Sequence, residues 1–264
     1  MIARYGLMED EEIELDLAAL ELSALDHEGI DLAPYVSLLR DIAARLAAVG
    51  GQARTVNDQA AALASVFADE FGFAGDVDAY DAPLNADLIR VLDRRLGLPV
   101  SLSILYVAAA RRMGWTAFAL NTPGHVLVRV GEGPAALIID PFNGGGQVPQ
   151  SRFHALLHRA LGGAEPQPEH VAAMTNRATL GRLLINQATR AEQAGDSARA
   201  LTIYERMTRV APDNEESWWQ LARLQLQDGA VGGARHSLSS MLEITRDPQR
   251  REQVSAVLEA IVSR

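Results

Sequence analysis

Cysteine is absent from this chain of 264 residues. The chain therefore forms no disulfide bond, and an enzyme with a cysteine nucleophile is excluded because no other side chain supplies a thiolate. Since disulfides persist mainly in oxidising compartments, a chain without cysteine is compatible with the reducing cytoplasm. We expect a cytoplasmic protein.

Positive charge is also in short supply. Arginine and lysine together number 24 against 34 acidic residues, which gives a net charge of −10. Nucleic acids and anionic membranes are bound by clustered basic side chains, so neither is expected as a partner. The pairs Arg94-Arg95 and Arg111-Arg112 are too short to change this balance, and we expect them on exposed helix faces.

Long hydrophobic runs are missing as well. No apolar stretch approaches the roughly 18 residues that a membrane span needs. Acidic residues in the opening MIARYGLMEDEEIELDL interrupt the apolar core that a secretory signal requires, so no such signal is expected. The composition, with 48% hydrophobic and 22% charged residues, is that of a globular protein whose length allows one or two domains.

Helical periodicity dominates the beginning of the chain. Apolar positions at helical spacing predict helices within residues 9–24, 34–48 and 56–70. The following FGFAGDVDAYDAPLN is rich in glycine and aspartate, which predicts a long structured loop. We expect this loop to end at Asn85 as the N-cap of a further helix, with Asp87 in its first turn and Gly97 closing it.

The middle of the chain combines one buried helix with short strands. Residues 101–113 are apolar on all sides, which predicts a buried helix with Ser101 as its N-cap. The runs TAFALN, HVLVRV and AALIID are short and rich in β-branched residues, and a turn at 131–134 would join the last two as a hairpin. A buried helix on antiparallel strands makes an α+β fold.

The last third of the chain predicts a separate helical module. The segment GGAEPQPEH, residues 162–170, has the composition of a linker. Beyond it, small and large residues recur 34 positions apart: Ala188 with Ala222, Gly195 with Gly229, Ala200 with Ala234, and Tyr204 with Leu238. This period matches the tetratricopeptide pattern, in which small side chains let paired helices pack closely. We expect one domain at residues 1–161 and a second at 177–264, which would contact a protein partner.

The central motifs resemble the transglutaminase-like superfamily. GLPVSLSILYVAAARRMGW, PGHVLVRV and IIDPFNGGG follow one another as the helix, the first strand and the second strand of that papain-like core do. The resemblance implies that His125 and Asp140 occupy the positions of the catalytic histidine and acid. It also implies that Pro99 occupies the position of the missing cysteine.

A closer resemblance is to the bacterial SirB1 family, which includes YchA. It covers nearly the whole chain, most specifically residues 71–146, and the family characteristically has proline where the active thiol would be. Where the family commonly has PGHF, this chain has Val126. The resemblance implies a transglutaminase-like core without its nucleophile, followed by tetratricopeptide-like repeats.

The candidate site has two interpretations. If the two strands pair through the 131–134 turn, His125 and Asp140 meet at one end of the hairpin, where a carboxylate can orient an imidazole. Alternatively, His125 is an ordinary strand histidine and Asp140 caps the DPFNGG turn. Asn85 and Asn143 are further polar candidates near the core, with competing roles as a helix cap and a turn residue.

Other candidate residues are weaker. Ser101 is the possible substitute nucleophile, although a helix cap also explains it, and Ser103 is expected to pack or to bond a backbone carbonyl. His154 and His158 are four residues apart on a short helix, but two imidazoles without a third ligand do not define a metal site. We expect a surface pair, no metal and no cofactor.

Two hypotheses of function remain. The preferred one is a non-catalytic binding or adaptor protein whose cleft holds a protein or peptide partner. The residues expected to form that cleft are Asn85, Pro99, His125, Asp140 and Asn143. The alternative is an atypical hydrolase or acyltransferase with His125 as general base, Asp140 as its orienting acid, and Ser101 or water as nucleophile.

Overall fold

The computed structural model describes residues 2–262. The chain divides into two compact units. One spans Glu9–Leu183, and the other combines the N-terminal residues up to Met8 with the chain from Leu184 onward. The division lies later in the sequence than the segment 162–176 in which the boundary is predicted.

Six helices and the beginning of a seventh belong to the first unit. They are α1 Leu15–Ala24, α2 Ala33–Gly50, α3 Val56–Ala64, α4 Leu88–Arg94, α5 Pro99–Arg112, α6 Gln150–Ala160 and α7 Asn176–Gln193. The first three fall where the periodicity predicts them. Thr55 begins α3 with a reciprocal cap, because its hydroxyl accepts from the N–H of Asp58 while the Asp58 carboxylate accepts from the N–H of Thr55.

Helix α5 forms the centre of this unit. Its residues from Pro99 to Ala110 are all buried, as its apolar character on every side predicts. It packs against α1, α2 and α3 and against the strands of the sheet described next. Pro99 is its first residue, where a proline costs no hydrogen bond because the N–H of that position has no partner within the helix.

A four-stranded sheet carries the predicted hairpin. Strands β3 Ala117–Leu120, β4 Leu127–Val130, β5 Leu137–Asp140 and β6 Gly146–Gln147 are antiparallel and adjacent in chain order. Val128 pairs with Ile139 across the hairpin. Strands β1 Ala74–Gly75 and β2 Leu96–Gly97 form a separate parallel pair. The predicted α+β fold is confirmed.

The segment after α6 returns to the sheet. Leu120 forms a bridge with Ala173, the N–H of Asn121 donates to the carbonyl of Ala172, and the N–H of Met174 donates to that of Ala119. These bonds extend the exposed edge of β3 and anchor the residues before α7. They explain why the first unit continues beyond residue 162.

The second unit is helical and repeats itself. Its helices α8 Ser197–Val210, α9 Glu215–Gln227, α10 Val231–Ile244 and α11 Pro248–Val262 follow α7. Ala188, Ala200, Ala222 and Ala234, the small residues of the 34-residue period, are all buried. Gly195 and Gly229 each end a helix with a φ of +76°, which a glycine adopts without strain. The predicted tetratricopeptide-like module is confirmed.

The N-terminal residues pack on this second unit. Residues Ile2–Gly6 form a 3-10 helix against α8, with Ile2 and Tyr5 buried. The sequence predicts no structure for them, because a single short turn has too few residues to show a period.

Three local predictions are wrong. Asp87, not Asn85, caps α4, since its carboxylate accepts from the N–H groups of Ile89 and Arg90. The helix ends at Arg94, and Gly97 lies in β2. Ser101 is not the N-cap of α5 but its third residue. The helix already begins at Pro99, about one turn earlier than predicted.

The expected exposure of the arginine pairs is only partly present, since Arg112 is exposed whereas Arg94, Arg95 and Arg111 are half-buried. Arg94 donates to the buried carboxylate of Asp76 at 2.6 Å, and Arg112 pairs with that of Asp16. Arg111 donates to the carbonyl of Ala117 at 2.9 Å. A two-residue motif does not reveal the carboxylate partners, because Asp76 lies 18 residues from Arg94 and Asp16 lies 96 residues from Arg112. Within residues 2–262, no helix has both the length and the apolar character to cross a membrane.

Candidate functional site

A histidine and a carboxylate meet at the open end of the β4–β5 hairpin. Nε2 of His125 lies 2.8 Å from Oδ1 of Asp140, so the predicted hydrogen bond is present. Because the Asp140 carboxylate only accepts, Nε2 is the donor of this hydrogen bond. The register of the hairpin brings the two together, since His125 lies just before β4 and Asp140 is the last residue of β5.

Asp140 is held as a carboxylate by several donors. Oδ1 also accepts from the N–H groups of Phe142 and Asn143, and Oδ2 accepts from Nδ2 of Asn143 at 2.7 Å. Burial raises the pKa of Asp140, but the hydrogen bonds from His125 and Asn143 outweigh burial and leave the pKa below its ordinary value. Asp140 thus orients His125 and caps its own turn, so both interpretations of this residue hold.

A short turn fixes the backbone of His125. The hydroxyl of Thr122 donates to the carbonyl of His125, which closes the segment Thr122–His125 on itself. The side chain of His125 keeps 22% of its surface exposed, whereas that of Asp140 keeps 4%. The imidazole is therefore the part of the pair that a ligand can reach.

An aromatic ring lies beside the imidazole. The Phe142 ring contacts that of His125 edge-on, with centroids 5.6 Å apart, and contacts Tyr80 in the same manner at 5.7 Å. Gly75 packs directly on Phe142, because a Cβ at that position would lie 2.4 Å from the ring. The absence of a side chain at Gly75 therefore allows strand β1 to approach the site.

Asn85 and Ser101 belong to a second cluster. Nδ2 of Asn85 donates to the carbonyl of Ala79 at 2.7 Å, and its Oδ1 accepts from Arg94 at 2.8 Å. Arg94 in turn holds Asp76, and the hydrogen bonds from Arg94 and from the N–H of Ala79 lower the pKa of Asp76. Asn85 is fully buried, so this network fixes the 71–85 loop and gives Asn85 a structural role.

The serine candidates do not reach the imidazole by a hydrogen bond. The hydroxyl of Ser101 accepts from the N–H of Leu98 at 2.9 Å and lies 2.9 Å from the carbonyl of Asn85. Ser103 is fully buried, and its hydroxyl finds no partner among the described residues, so it is packed and not bonded to a carbonyl. Both serines are therefore parts of the α5 core.

Tyr106 lies one turn after Ser103 on the same face of α5. Its ring stacks on Phe67 with centroids 4.3 Å apart, and its hydroxyl likewise finds no partner among the described residues. Burial, followed by the charges of Asp69 and Asp140, raises the pKa of Tyr106. The phenol is therefore neutral and does not act as a base.

A cleft of about 360 Å³ opens beside His125. One wall is the segment from Thr122 to Leu127, and the other is α6. The α6 wall contributes Phe153, Leu156, Leu157, Arg159 and Ala160. The cleft is thus an apolar groove with an imidazole on one side and a guanidinium on the other.

The structure brings some of the predicted site residues together and separates others. His125, Asp140 and Asn143 form one hydrogen-bonded group, while Asn85 and Ser101 form the other. Pro99 is buried at the start of α5. Sequence reasoning missed Phe142 and Arg159, although the position of Phe142 inside the DPFNGG motif is a usable signal.

Histidines 154 and 158 are exposed on α6. Within residues 2–262, no group of three or more histidine, aspartate or glutamate side chains is arranged to hold a metal ion.

Comparison with known proteins assigns the family. Residues 33–185 match the profile described as the transglutaminase-like superfamily, and residues 188–259 match a tetratricopeptide repeat profile. The chain belongs to the transglutaminase-like superfamily. The first match contains the whole His125–Asp140 site, and the second covers the 34-residue period.

Named relatives extend this assignment. A UPF0162 protein of Xylella fastidiosa is 28% identical over 241 residues, which cover 90% of this chain and 86% of the relative. A UPF0162 protein of Pseudomonas aeruginosa is 31% identical over 184 residues, 68% of this chain and 66% of the relative. Human F-box only protein 21 is 37% identical over 83 residues, 31% of this chain and 13% of that protein.

Proposed function

We propose that this protein is a non-catalytic adaptor of the SirB1 type, which binds a protein or peptide partner through its transglutaminase-like cleft. The observation that carries the proposal is a complete imidazole–carboxylate pair in a chain without cysteine. An oriented imidazole at the lip of an apolar groove suits recognition of a polar group on a peptide. The proposal includes a cytoplasmic location, which fractionation of the host cells would test.

The geometry gives the hydrolase alternative little support. Ser101 directs its hydroxyl to the backbone of Leu98 and Asn85, and a nucleophile must lie within about 3.2 Å of its base. Water remains the other candidate nucleophile, and an assay for turnover tests it. The turnover assay therefore decides whether the hydrolase alternative holds.

The second unit supports an interaction role. Tetratricopeptide repeats commonly bind other proteins on the surfaces that their paired helices create. Here Tyr204 donates to Glu192 at 3.0 Å, and Arg223 pairs with the same carboxylate, so three successive helices are held in register. We propose that this unit provides an additional contact with the partner.

Partner capture from the native host tests the proposal. The bait is the full chain, compared with His125→Ala, and the matched control is His27→Ala. His27 forms the same kind of pair, with Asp87 at 2.6 Å, but does not line the cleft. We expect His125→Ala to lose a specific partner that His27→Ala retains. Equal retention by both variants would contradict binding at this cleft.

A further inference from the structure

Helix α6 has basic side chains and no acidic ones. Between Pro141 and Ala164 the sequence contains no aspartate or glutamate, although the net charge of the protein is −10. The titratable side chains of α6 are two arginines and two histidines, namely Arg152, His154, His158 and Arg159. All four residues are exposed. One wall of the cleft thus belongs to a segment without acidic side chains.

These basic side chains have no counter-charge of their own. In the part of the chain that the structure describes, none of the four forms a side-chain hydrogen bond or an ion pair. Elsewhere, Arg94, Arg112 and Arg223 each pair with a carboxylate. The arginines of α6 therefore differ from these structural arginines and have free donors.

The cleft combines this charge with an apolar floor. Phe153 and Leu156 pack on the cluster of Leu120, Leu127 and Val148, which covers one face of the sheet. Arg159 and His125 belong to the lining, and no carboxylate does. An apolar side chain therefore fits the groove, and a negatively charged group fits its rim.

We propose that the cleft and α6 bind an acidic internal segment of a partner protein, with an apolar side chain in the groove and carboxylates on Arg159 and Arg152. This inference rests on the proposed function and specifies the chemistry of the partner. Arginine suits the task because its guanidinium binds a carboxylate through two parallel hydrogen bonds. Every basic residue of this chain other than histidine is an arginine.

The spacing of the arginines favours an internal segment over a chain terminus. Arg152 and Arg159 are seven residues apart, so they share one helix face about 10 Å apart. A single terminal carboxylate reaches only one of them. In an extended peptide, two acidic side chains on either side of an apolar residue lie about 7 Å apart, a spacing that two long arginine side chains about 10 Å apart at their backbone can reach.

A labelled peptide tests the inference directly. The probe is a fluorescein-labelled octapeptide that alternates glutamate with leucine and phenylalanine and ends in an amide, and its binding to the full chain is followed by fluorescence anisotropy. We expect Arg159→Gln to weaken binding about tenfold, the effect of losing one charged hydrogen-bonded contact. The matched control is Arg40→Gln, because Arg40 is exposed on α2 and also has no partner among the described residues.

Other arms of the experiment identify the source of the ligand. The same peptide with glutamine in place of glutamate should not bind, and a free C-terminal acid should bind no better than the amide. A requirement for the free terminus would overturn the internal segment. Binding of phosphatidylserine vesicles or single-stranded DNA without binding of the acidic peptide would overturn it too, as would self-association abolished by Arg159→Gln.

The two proposals fail in distinguishable ways. A host partner that is lost with His125→Ala but retained by an Arg152→Gln, Arg159→Gln double variant would overturn the acidic-segment inference and leave the adaptor function standing. A partner retained by both variants would overturn both. Thermal unfolding of each variant confirms that the exposed substitutions leave the fold intact.

Discussion

Asp140 organises the candidate site at the scale of single residues. Oδ1 accepts from His125 and from two backbone N–H groups, Oδ2 accepts from Asn143, and the side chain is 4% exposed, so Asp140 is not the part of the pair that a ligand reaches. It acts as a positioning residue for the exposed imidazole. The same carboxylate holds the turn that places Phe142 against His125. One residue therefore positions both the imidazole and the aromatic ring beside it.

Gly75 tests the packing of the site. A methyl group at this position would lie 2.4 Å from Phe142, so we expect Gly75→Ala to lower the free energy of unfolding by about 1–3 kcal/mol. Urea unfolding measures the change. Gly146→Ala is the control, because a Cβ there meets nothing within 4 Å. Equal stability of the two variants would show that Phe142 moves aside freely.

Asp76 tests the electrostatics of the second cluster. Its folded-state pKa is lowered by Arg94, so its contribution to stability is complete above the unfolded-state pKa of about 3.9 and is lost as the pH falls through the folded-state value. We expect Asp76→Asn to flatten the loss of stability as the pH falls below about 4, measured by urea unfolding. The exposed neighbour Asp78 provides the control, Asp78→Asn, whose profile should follow the wild type. A steep profile in Asp76→Asn would contradict the pairing.

At the scale of elements, two serines near the start of helix α5 differ in their hydrogen bonding. The Ser101 hydroxyl ties the first turn of α5 to Asn85, whereas the Ser103 hydroxyl is buried without a partner among the described residues. We expect Ser101→Ala to cost about 1–3 kcal/mol, because it leaves buried groups unbonded, and Ser103→Ala to be nearly neutral. Thermal or urea unfolding of the two variants makes the comparison. A larger cost for Ser103→Ala would contradict this assignment.

The elements differ in how much of them the sequence predicts. Strands β3 to β5, the hairpin turn and the helical repeats follow from period and composition, because each is a local pattern of several residues. The exact start of α5 does not, since Pro99 begins a helix as readily as Ser101 caps one. The partners of Arg94 and Arg112 are also invisible in the sequence, because Asp76 and Asp16 come from distant segments.

The sequence likewise predicts one part of the candidate site and not the rest. His125 and Asp140 were predictable as a pair because the hairpin register brings them together, and the family motif named both. The cleft itself was not, because its second wall, α6, follows the motif and contributes Arg159 from a helix with no recognisable signature. Asn85 is a polar residue near the core, and its buried hydrogen bonds give it a structural role.

At the scale of the whole molecule, limited proteolysis tests the predicted domain boundary at residues 162–176. Residues 162–170 contain two glycines and two prolines and have little regular structure, whereas residues 172–174 are hydrogen-bonded to β3 and the residue after it. We therefore expect a non-specific protease such as proteinase K to cut first within the predicted 162–176 segment, on its 162–170 side. Mass spectrometry of the first fragments measures the site. A first cut inside residues 100–145 would contradict the proposed division.

The central claim is that the His125–Asp140 pair serves binding and not turnover. Its most direct test is the rate of hydrolysis and of amine transfer by the purified chain, with activated acyl esters and glutamine peptides as substrates, compared with Ser101→Ala and His125→Ala. We predict that all three proteins match the rate in buffer, because no thiolate is present and the Ser101 hydroxyl is bonded to the backbone. Turnover by the wild type that either substitution abolishes would contradict the account.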